Sequence, residues 1–107
     1  MADKLLPARL DYAKVNRAAL ARLPALLRHW LPSGCLKGRE WIALNPTRAD
    51  QNPGSFKVNV VTGRWADFAT GDSGGDVISL AAYLAGVSQA EACRRLAAAL
   101  GVADGPR

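Results

Sequence analysis

The sequence predicts an α+β fold in which a three-stranded antiparallel sheet is flanked by N-terminal and C-terminal helices. Apolar residues recur at helical spacing before residue 32 and again after residue 76, and between residues 39 and 68 the period changes to two. Segments rich in glycine and proline separate these regions. The chain has 107 residues, 50% of them hydrophobic, which is enough for one small core. We therefore predict a single domain over residues 1–107.

The first helical region covers about residues 11–31. Basic residues fall between its apolar positions, which are Ala13, Leu20, Leu23, Leu27 and Leu31. Pro24 lacks an amide donor and would clash with the preceding turn inside a helix, but it fits the first position of a new one. The pattern therefore predicts two short helices, at about 11–22 and 24–31.

Alternating side chains predict a sheet of the ribbon type over about residues 39–68. Residues 39–44 and 55–60 each alternate with a period of two, which is the period of a strand. Residues 64–68 are predicted to return as the second strand of a hairpin after the turn 61–63. The intervening segment, 45–54, holds two prolines and a glycine and is predicted as a loop.

A helix pair is predicted over about residues 76–100. Asp76 follows two glycines and can accept hydrogen bonds from the free amides of a first helical turn. Gly86 is typical of a helix end, and Ser88 begins a capping box that starts the next helix. The tail, 102–107, is predicted to be a frayed end or the start of a linker.

The charge of the chain is unevenly distributed. The net charge is +5, and the first 48 residues carry nine basic against three acidic side chains. A basic half favours a polyanionic partner, because contacts to phosphates release counterions. The alternative is a charged surface that only keeps the domain soluble.

The cysteines and the histidine match no disulfide or zinc pattern. Cys35 and Cys93 lie far apart, and His29 completes no Cys/His set. We expect both thiols to be buried or half-buried. The N-terminus resembles no secretory signal, and no apolar run approaches the length of a membrane span. The sequence therefore predicts a cytoplasmic protein that does not enter a membrane.

An ordered set of motifs lies between Asn45 and Leu80. Its elements are Pro-x-Ser-Phe-x-Val-Asn, then Trp-x-Asp-Phe, then Gly-Gly-Asp. In this order the segment resembles the zinc ribbon that opens bacterial, phage and plasmid DNA primases, where a Cys-Pro-x-His pair precedes the strand and a Cys-x-x-Cys pair precedes Gly-Gly-Asp. The matching residues are Pro46, Pro53, Ser55, Phe56, Val58, Asn59, Gly74, Gly75 and Asp76.

The metal ligands of that family are missing from this chain. Asn45 and Arg48 stand at the first pair of ligand positions, and Phe68 and Gly71, counted back from Gly74, stand at the second pair. The resemblance therefore implies a degenerate, zinc-ribbon-like domain with no metal and no other cofactor. Because structural zinc supplies much of the folding free energy of a ribbon, another source of stability is required.

Two replacements for the metal are predicted. Four large aromatic rings add apolar area to a thin core: Trp41, Phe56, Trp65 and Phe68. As a hypothesis, Arg48 at the former His position pairs with Asp67 beside a former Cys position, so that charge pairing ties the loop to the hairpin.

The resemblance implies a function in DNA replication. In the family, this domain binds the single-stranded DNA template, while polymerisation belongs to a separate catalytic domain. We therefore expect a non-catalytic, nucleic-acid-binding module of a plasmid- or phage-type primase or primase-helicase. The predicted contact residues are Arg39, Trp41, Arg48, Lys57, Asn59, Arg64 and Trp65.

The predicted binding surface combines cations with aromatic rings. Strand alternation predicts that Arg39, Trp41, Lys57 and Asn59 share one outer sheet face, near Arg64 or Trp65. Cations would then contact phosphates while rings stack on bases. The alternative is that helices cover both tryptophans and leave the cations alone exposed.

Other functions remain open at this point. The main alternative is a protein-interaction module that docks onto a replicative helicase or polymerase with little DNA contact. A regulator of duplex DNA that uses the basic N-terminal helices is a third possibility, although no helix-turn-helix spacing supports it.

Two further motifs are more simply explained by structure. The string GDSGG around Ser73 resembles the nucleophile segment of trypsin-like proteases, but that chemistry needs a buried Asp and a His base, and the single histidine lies on a predicted basic helix. Asp67, Asp72 and Asp76 could hold magnesium, but capping, surface or paired roles explain them better.

Overall fold

The computed structural model describes residues 11–50 and 54–102. In this part of the chain, two helices precede five short strands and two helices follow them. In chain order the elements are α1 (Tyr12–Ala21), α2 (Leu23–Trp30), β1 (Cys35–Lys37), β2 (Glu40–Ala43), β3 (Phe56–Asn59), β4 (Trp65–Asp67), β5 (Asp72–Gly74), α3 (Val77–Ala85) and α4 (Gln89–Leu100). Among the described residues, every helix is too short or too polar to cross a membrane. The predicted tail lies outside the described residues after Val102.

The two predicted N-terminal helices are confirmed. Asp11 caps α1 by accepting from the Lys14 amide at 3.0 Å, and Pro24 occupies the first turn of α2, where its missing donor costs nothing. Both helices contribute fully buried side chains to the core, namely Val15, Ala19, Leu23 and Leu27.

The sheet has five strands, so the predicted number of three is wrong although the α+β class is right. The strands follow one another as an antiparallel meander in the order β1-β2-β3-β4-β5. The two additional strands are the edges, and each has three residues, which is too short to display a period of two. Strand β5 also lies within the GDSGG string, whose glycines indicate a turn.

The start of α3 is tied to α1 by one side chain. Asp76 and Ser79 form the capping box of α3. The Asn16 side chain accepts from the Ile78 amide at 2.9 Å and donates to the Asp76 carboxylate at 3.1 Å. One asparagine on the first helix therefore satisfies a free amide at the start of the third.

The C-terminal helix pair is confirmed, but only the Ser88 half of the predicted capping box forms, because the Glu91 carboxylate contacts arginines instead. Gly86 ends α3 in the left-handed conformation, and the Ser88 hydroxyl accepts from the Glu91 amide to begin α4. The Glu91 carboxylate pairs with Arg94 and Arg95 on the next turn.

One face of the sheet packs against the helices. Trp41, Phe56, Val58 and Trp65 are buried on this face, and the Trp65 ring lies 4.6 Å from the ring of Tyr83 on α3, centroid to centroid. Cys93 is buried as expected, whereas Cys35 is exposed, because it lies on the edge strand β1.

Two glycines make room for the buried indole rings. A Cβ atom at Gly34 would collide with the Trp41 ring, and one at Gly74 would collide with the Trp65 ring and the Ser79 hydroxyl. Gly75, the next residue along the chain, has open space at its Cβ position. The second half of the GDSGG string is therefore partly a packing feature.

Gly74→Ala should lower the free energy of unfolding by about 2 kcal/mol, because the added methyl group overpacks the space held by the Trp65 ring. Gly75→Ala is the matched control, and it should leave stability nearly unchanged. Urea denaturation of the two variants and the parent chain measures both effects. Equal stability of the two variants would contradict this account of Gly74.

Candidate nucleic-acid interface

The sheet face that points away from the helices is exposed and partly basic. In the ladder, Lys57 lies opposite Ile42 and Ala66, and Ala66 lies opposite Ser73. Because directly opposite residues share a face, these side chains lie on the side that does not pack against the helices. We call this surface the open sheet face and define it by the residues that the ladder and the groove place there, which are Glu40, Ile42, Lys57, Asn59, Arg64, Ala66, Phe68 and Ser73.

An exposed aromatic ring lies on the open sheet face. Phe68 follows β4 directly, and its amide donates to the Ser55 carbonyl at 2.8 Å, which continues the ladder by one pair. Its side chain is 71% exposed, although a ring of this size is usually buried. The Lys57 ammonium group lies 5.8 Å from the ring centroid, within the range of a cation–π contact.

Two more donors line the same surface. Arg64 is exposed and follows the turn after β3. The Asn59 Oδ1 atom accepts from the amides of Val61 and Thr62 at 2.8 and 3.0 Å, so the turn holds the side-chain oxygen. The Asn59 Nδ2 group, which makes no hydrogen bond within the described residues, therefore remains available as a donor.

These side chains border a shallow groove of about 500 Å³. Lys57, Asn59, Arg64 and Phe68 line it together with the polar Ser73, and Glu40 contributes one carboxylate. Hydrogen-bond donors and an aromatic ring thus lie side by side. Proteins that bind single-stranded nucleic acid commonly have this arrangement.

The rings of the two tryptophans predicted for this interface pack on the other face, so their predicted exposure here is wrong, although Trp65 still borders the groove. Trp41 and Trp65 are 7% and 6% exposed, and they pair with Val58 from opposite sides. The Trp41 Nε1 group donates to the Leu31 carbonyl at 3.2 Å, and the Trp65 Nε1 group donates to the Ser79 hydroxyl at 2.9 Å. Both indoles are therefore core residues with satisfied polar groups, as the alternative interpretation stated.

The prediction that Arg39 lies on the same sheet face as Lys57 is also wrong. The Arg39 carbonyl accepts from the Val60 amide at 2.8 Å, so the register puts Arg39 on the side of Trp41 and not on that of Lys57. The residue is exposed in the turn between β1 and β2. Arg39 therefore adds charge at the edge of the sheet but does not belong to the open sheet face.

The predicted pair between Arg48 and Asp67 is confirmed. The Arg48 Nε atom lies 2.8 Å from Asp67 Oδ2, and the Nη2 atom lies 3.2 Å from Oδ1, so the contact is bidentate. The guanidinium also donates to the Ser55 hydroxyl at 3.1 Å and lies 3.4 Å from Asp50. With these partners, Arg48 holds the loop on the hairpin, and its predicted role as a nucleic-acid contact is not supported.

Asp67 is completely buried, yet its carboxylate is fully satisfied. Besides Arg48, the Asn45 side chain donates to it at 2.8 Å and the Ala69 amide at 2.9 Å. The hydrogen bonds from Arg48 hold the pKa of Asp67 far below its usual value, and those from Asn45 and Ala69 act in the same direction against the cost of burial. The same contact raises the pKa of Arg48.

A chain of hydrogen bonds continues from this pair to helix α3. The Asn45 Nδ2 group also donates to the Tyr83 hydroxyl at 2.9 Å, and that hydroxyl donates to Asp72 on β5 at 2.8 Å. Within the described residues, every buried side-chain nitrogen and oxygen has a hydrogen-bond partner. The network therefore joins the loop, two strands and a helix.

The positions expected for metal ligands are only partly together. Asn45 and Arg48 meet at Asp67, whereas Phe68 points to the open sheet face and Gly71 lies in the turn before β5. Phe68 directly follows Asp67, and neighbouring residues on a strand point to opposite faces, so the Phe68 side chain lies away from the cluster. Asn45, Arg48 and Asp67 do not fit zinc, because their one anionic group, the Asp67 carboxylate, is already paired with the Arg48 guanidinium.

No group of three or more His, Cys, Asp or Glu side chains in residues 11–50 and 54–102 is arranged to hold a metal ion. Each of the three aspartates considered for magnesium has a different contact. Asp67 pairs with Arg48, Asp72 accepts from Tyr83, and Asp76 caps α3.

The protease-like string also has a structural role. Ser73 lies on β5 opposite Ala66, on the open sheet face, whereas His29 lies on α2 and borders a groove of the helix layer. A base and a nucleophile that belong to different surfaces do not form a catalytic pair.

Sequence reasoning missed Phe68 as a surface residue and assigned it to the core. The exposure of Phe68 follows from the predicted pair between Asp67 and Arg48. If Asp67 points inward, then Phe68, the next residue, points outward.

No protein-family model matches this chain, and no curated protein sequence matches it.

Asp67→Asn should weaken the dependence of the free energy of unfolding on pH in the acid range. Because the pKa of Asp67 is lowered in the folded state, the unfolded chain takes up its proton first as the pH falls. The carboxylate therefore stabilises the fold above its unfolded pKa of about 3.9, and this contribution is lost as the pH falls toward the folded pKa.

In the parent chain, the urea midpoint should decline between about pH 5 and pH 2. In Asp67→Asn, the midpoint should be lower at pH 7 and should decline less over the same range. Arg48→Met removes the main cause of the pKa shift, so it should also flatten the profile. Parallel profiles for all three proteins would contradict the assignment.

Proposed function

We propose that this chain is a metal-free module that binds single-stranded nucleic acid through the open sheet face. The observation that carries the proposal is the exposed Phe68 ring beside the Lys57 ammonium group. An exposed ring offers a platform for a base, and a neighbouring cation offers a contact for the phosphate of the same nucleotide.

The neighbouring groups support the same ligand. Arg64 contributes a second cation, and the Asn59 Nδ2 group contributes a donor whose orientation is set by the turn. Bases and phosphates both present hydrogen-bond acceptors, so a surface of donors around a ring fits a single strand in which the bases are unstacked.

In its motifs and in this surface, the chain fits a template-binding module of a plasmid- or phage-type primase or primase-helicase. In this proposal it acts without catalysis, and the Arg48–Asp67 pair replaces the ion that holds the zinc ribbon of the family together. The ordered motifs from Pro53 to Asp76 support a relationship to the primase zinc ribbon. The observed ion pair between Arg48 and Asp67 supports a form that needs no metal.

Phe68→Ala should weaken binding to single-stranded DNA about tenfold, because one base loses its stacking partner. Tyr12→Ala is the control, since Tyr12 is also an exposed aromatic residue, at 41%, but lies on α1. Fluorescence anisotropy of a labelled strand of about 12 nucleotides measures both affinities. Equal affinities of the two variants, or no binding by the parent chain, would refute the proposal.

Lys57→Glu should weaken binding and also reduce its dependence on salt. Loss of one phosphate contact lowers the slope of log affinity against log salt by about 0.7 for a single strand. Lys14→Glu changes the net charge equally, but Lys14 is exposed on α1 and not on the open sheet face, so this variant should keep the parent slope. If both reversals change the slope equally, binding depends on the overall charge and not on the open sheet face.

A further inference from the structure

The helix layer contains a groove that the open sheet face does not explain. It has a volume of about 550 Å³ and lies between α2, α3 and α4, with Pro46 at one side. Apolar side chains from all three helices form most of its wall, among them Leu26, Trp30, Leu84 and Leu96. We call it the helix groove.

The helix groove leaves large apolar side chains incompletely covered. Leu26, Trp30 and Leu84 pack against the core on one side and are only half-buried. A continuous apolar surface of this kind on a small domain marks a site where another molecule binds.

The charges around the groove indicate the kind of molecule. Helix α3 carries no charged residue, whereas α2 and α4 together carry three arginines and one glutamate. Arg95 lies on the wall of the groove, and its Nη groups make no hydrogen bond within the described residues, because its contact with Glu91 uses Nε. His29 borders the groove as a further donor.

This charge distribution favours an acidic partner over a second copy of the chain. Two copies joined through this surface would each bring Arg95 to the interface, and the lining residues include no carboxylate of a second copy to pair with it. An acidic segment would instead neutralise Arg95. A groove between helices, with an apolar floor, fits an amphipathic helix laid along it.

We propose that the helix groove binds an amphipathic helix of a partner protein, with the apolar stripe of that helix on Leu26, Trp30 and Leu84 and its acidic residues beside Arg95 and His29. This site is independent of the nucleic-acid proposal. The helix groove lies in the helix layer, whereas the open sheet face points away from that layer, so both surfaces can be occupied together.

The test uses two synthetic helical peptides of about 16 residues, long enough to form a helix of about four turns. Both carry leucines three and four residues apart, and one has glutamates beside this stripe where the other has lysines. The full chain, labelled with ¹⁵N, is titrated with each peptide. The acidic peptide should bind about tenfold more tightly, with shift changes in α2, α3 and α4.

A matched pair of variants distinguishes the groove from the rest of the surface. Ala98 and Ala99 are adjacent and exposed on α4, but only Ala99 lines the groove. Ala99→Glu should weaken binding of the acidic peptide about tenfold or more, because it places bulk and negative charge in the groove. Ala98→Glu should keep the parent affinity.

Several results would overturn the proposal. These are equal affinity for the acidic and the basic peptide, no binding of either peptide, or shift changes on the open sheet face alone. Concentration-dependent sedimentation of the chain without peptide, lost in Ala99→Glu and kept in Ala98→Glu, would assign the groove to a second copy instead.

Discussion

The ion pair between Arg48 and Asp67 is the contact on which the arrangement of this domain depends. It joins a loop to a hairpin that lies 19 residues further along the chain. A buried carboxylate is costly unless it is paired and hydrogen-bonded, and here four donors from Arg48, Asn45 and Ala69 meet that requirement. Through Asn45 and Tyr83, the same network reaches α3, so the loop, the sheet and the helix layer share one set of hydrogen bonds.

The aromatic residues divide into two roles according to the face on which they lie. Trp41, Phe56 and Trp65 fill the space between the sheet and the helices, where large rings supply apolar area that a small domain needs. Phe68 lies on the opposite face and contributes little to that core. Exposing an apolar ring to water is unfavourable, and a role of the ring in binding accounts for it.

Local signals in the sequence predicted the helices well. Caps at Asp76 and Ser88 act within one turn, so each can be identified from a few neighbouring residues. The edge strands were missed because three residues are too few to show alternation. Cys35 was expected to be buried or half-buried because free cysteines usually are, and its place on an edge strand was not visible in the pattern. The pair of Arg48 with Asp67 was predicted because a family pattern placed both residues near one point.

The faces of the sheet were predicted less well. Trp41 and Ile42 are adjacent and both apolar, so alternation alone does not identify which of them points to the core. What selects Trp41 is non-local: Gly34 leaves room for its ring, and the Leu31 carbonyl accepts its Nε1 proton. Trp65 depends in the same way on Gly74 and Ser79, which lie on β5 and α3.

The neighbouring positions of Asp67 and Phe68 have an evolutionary consequence. Asp67 points into the domain and forms the ion pair, while Phe68 presents its ring to the solvent. Both orientations are set by the alternation of side chains along β4, which has three residues. Inserting or deleting a single amino acid within β4 would turn the carboxylate outward and the ring inward. Descendants of this gene can therefore vary the length of the turns on either side of that strand more readily than the length of the strand itself.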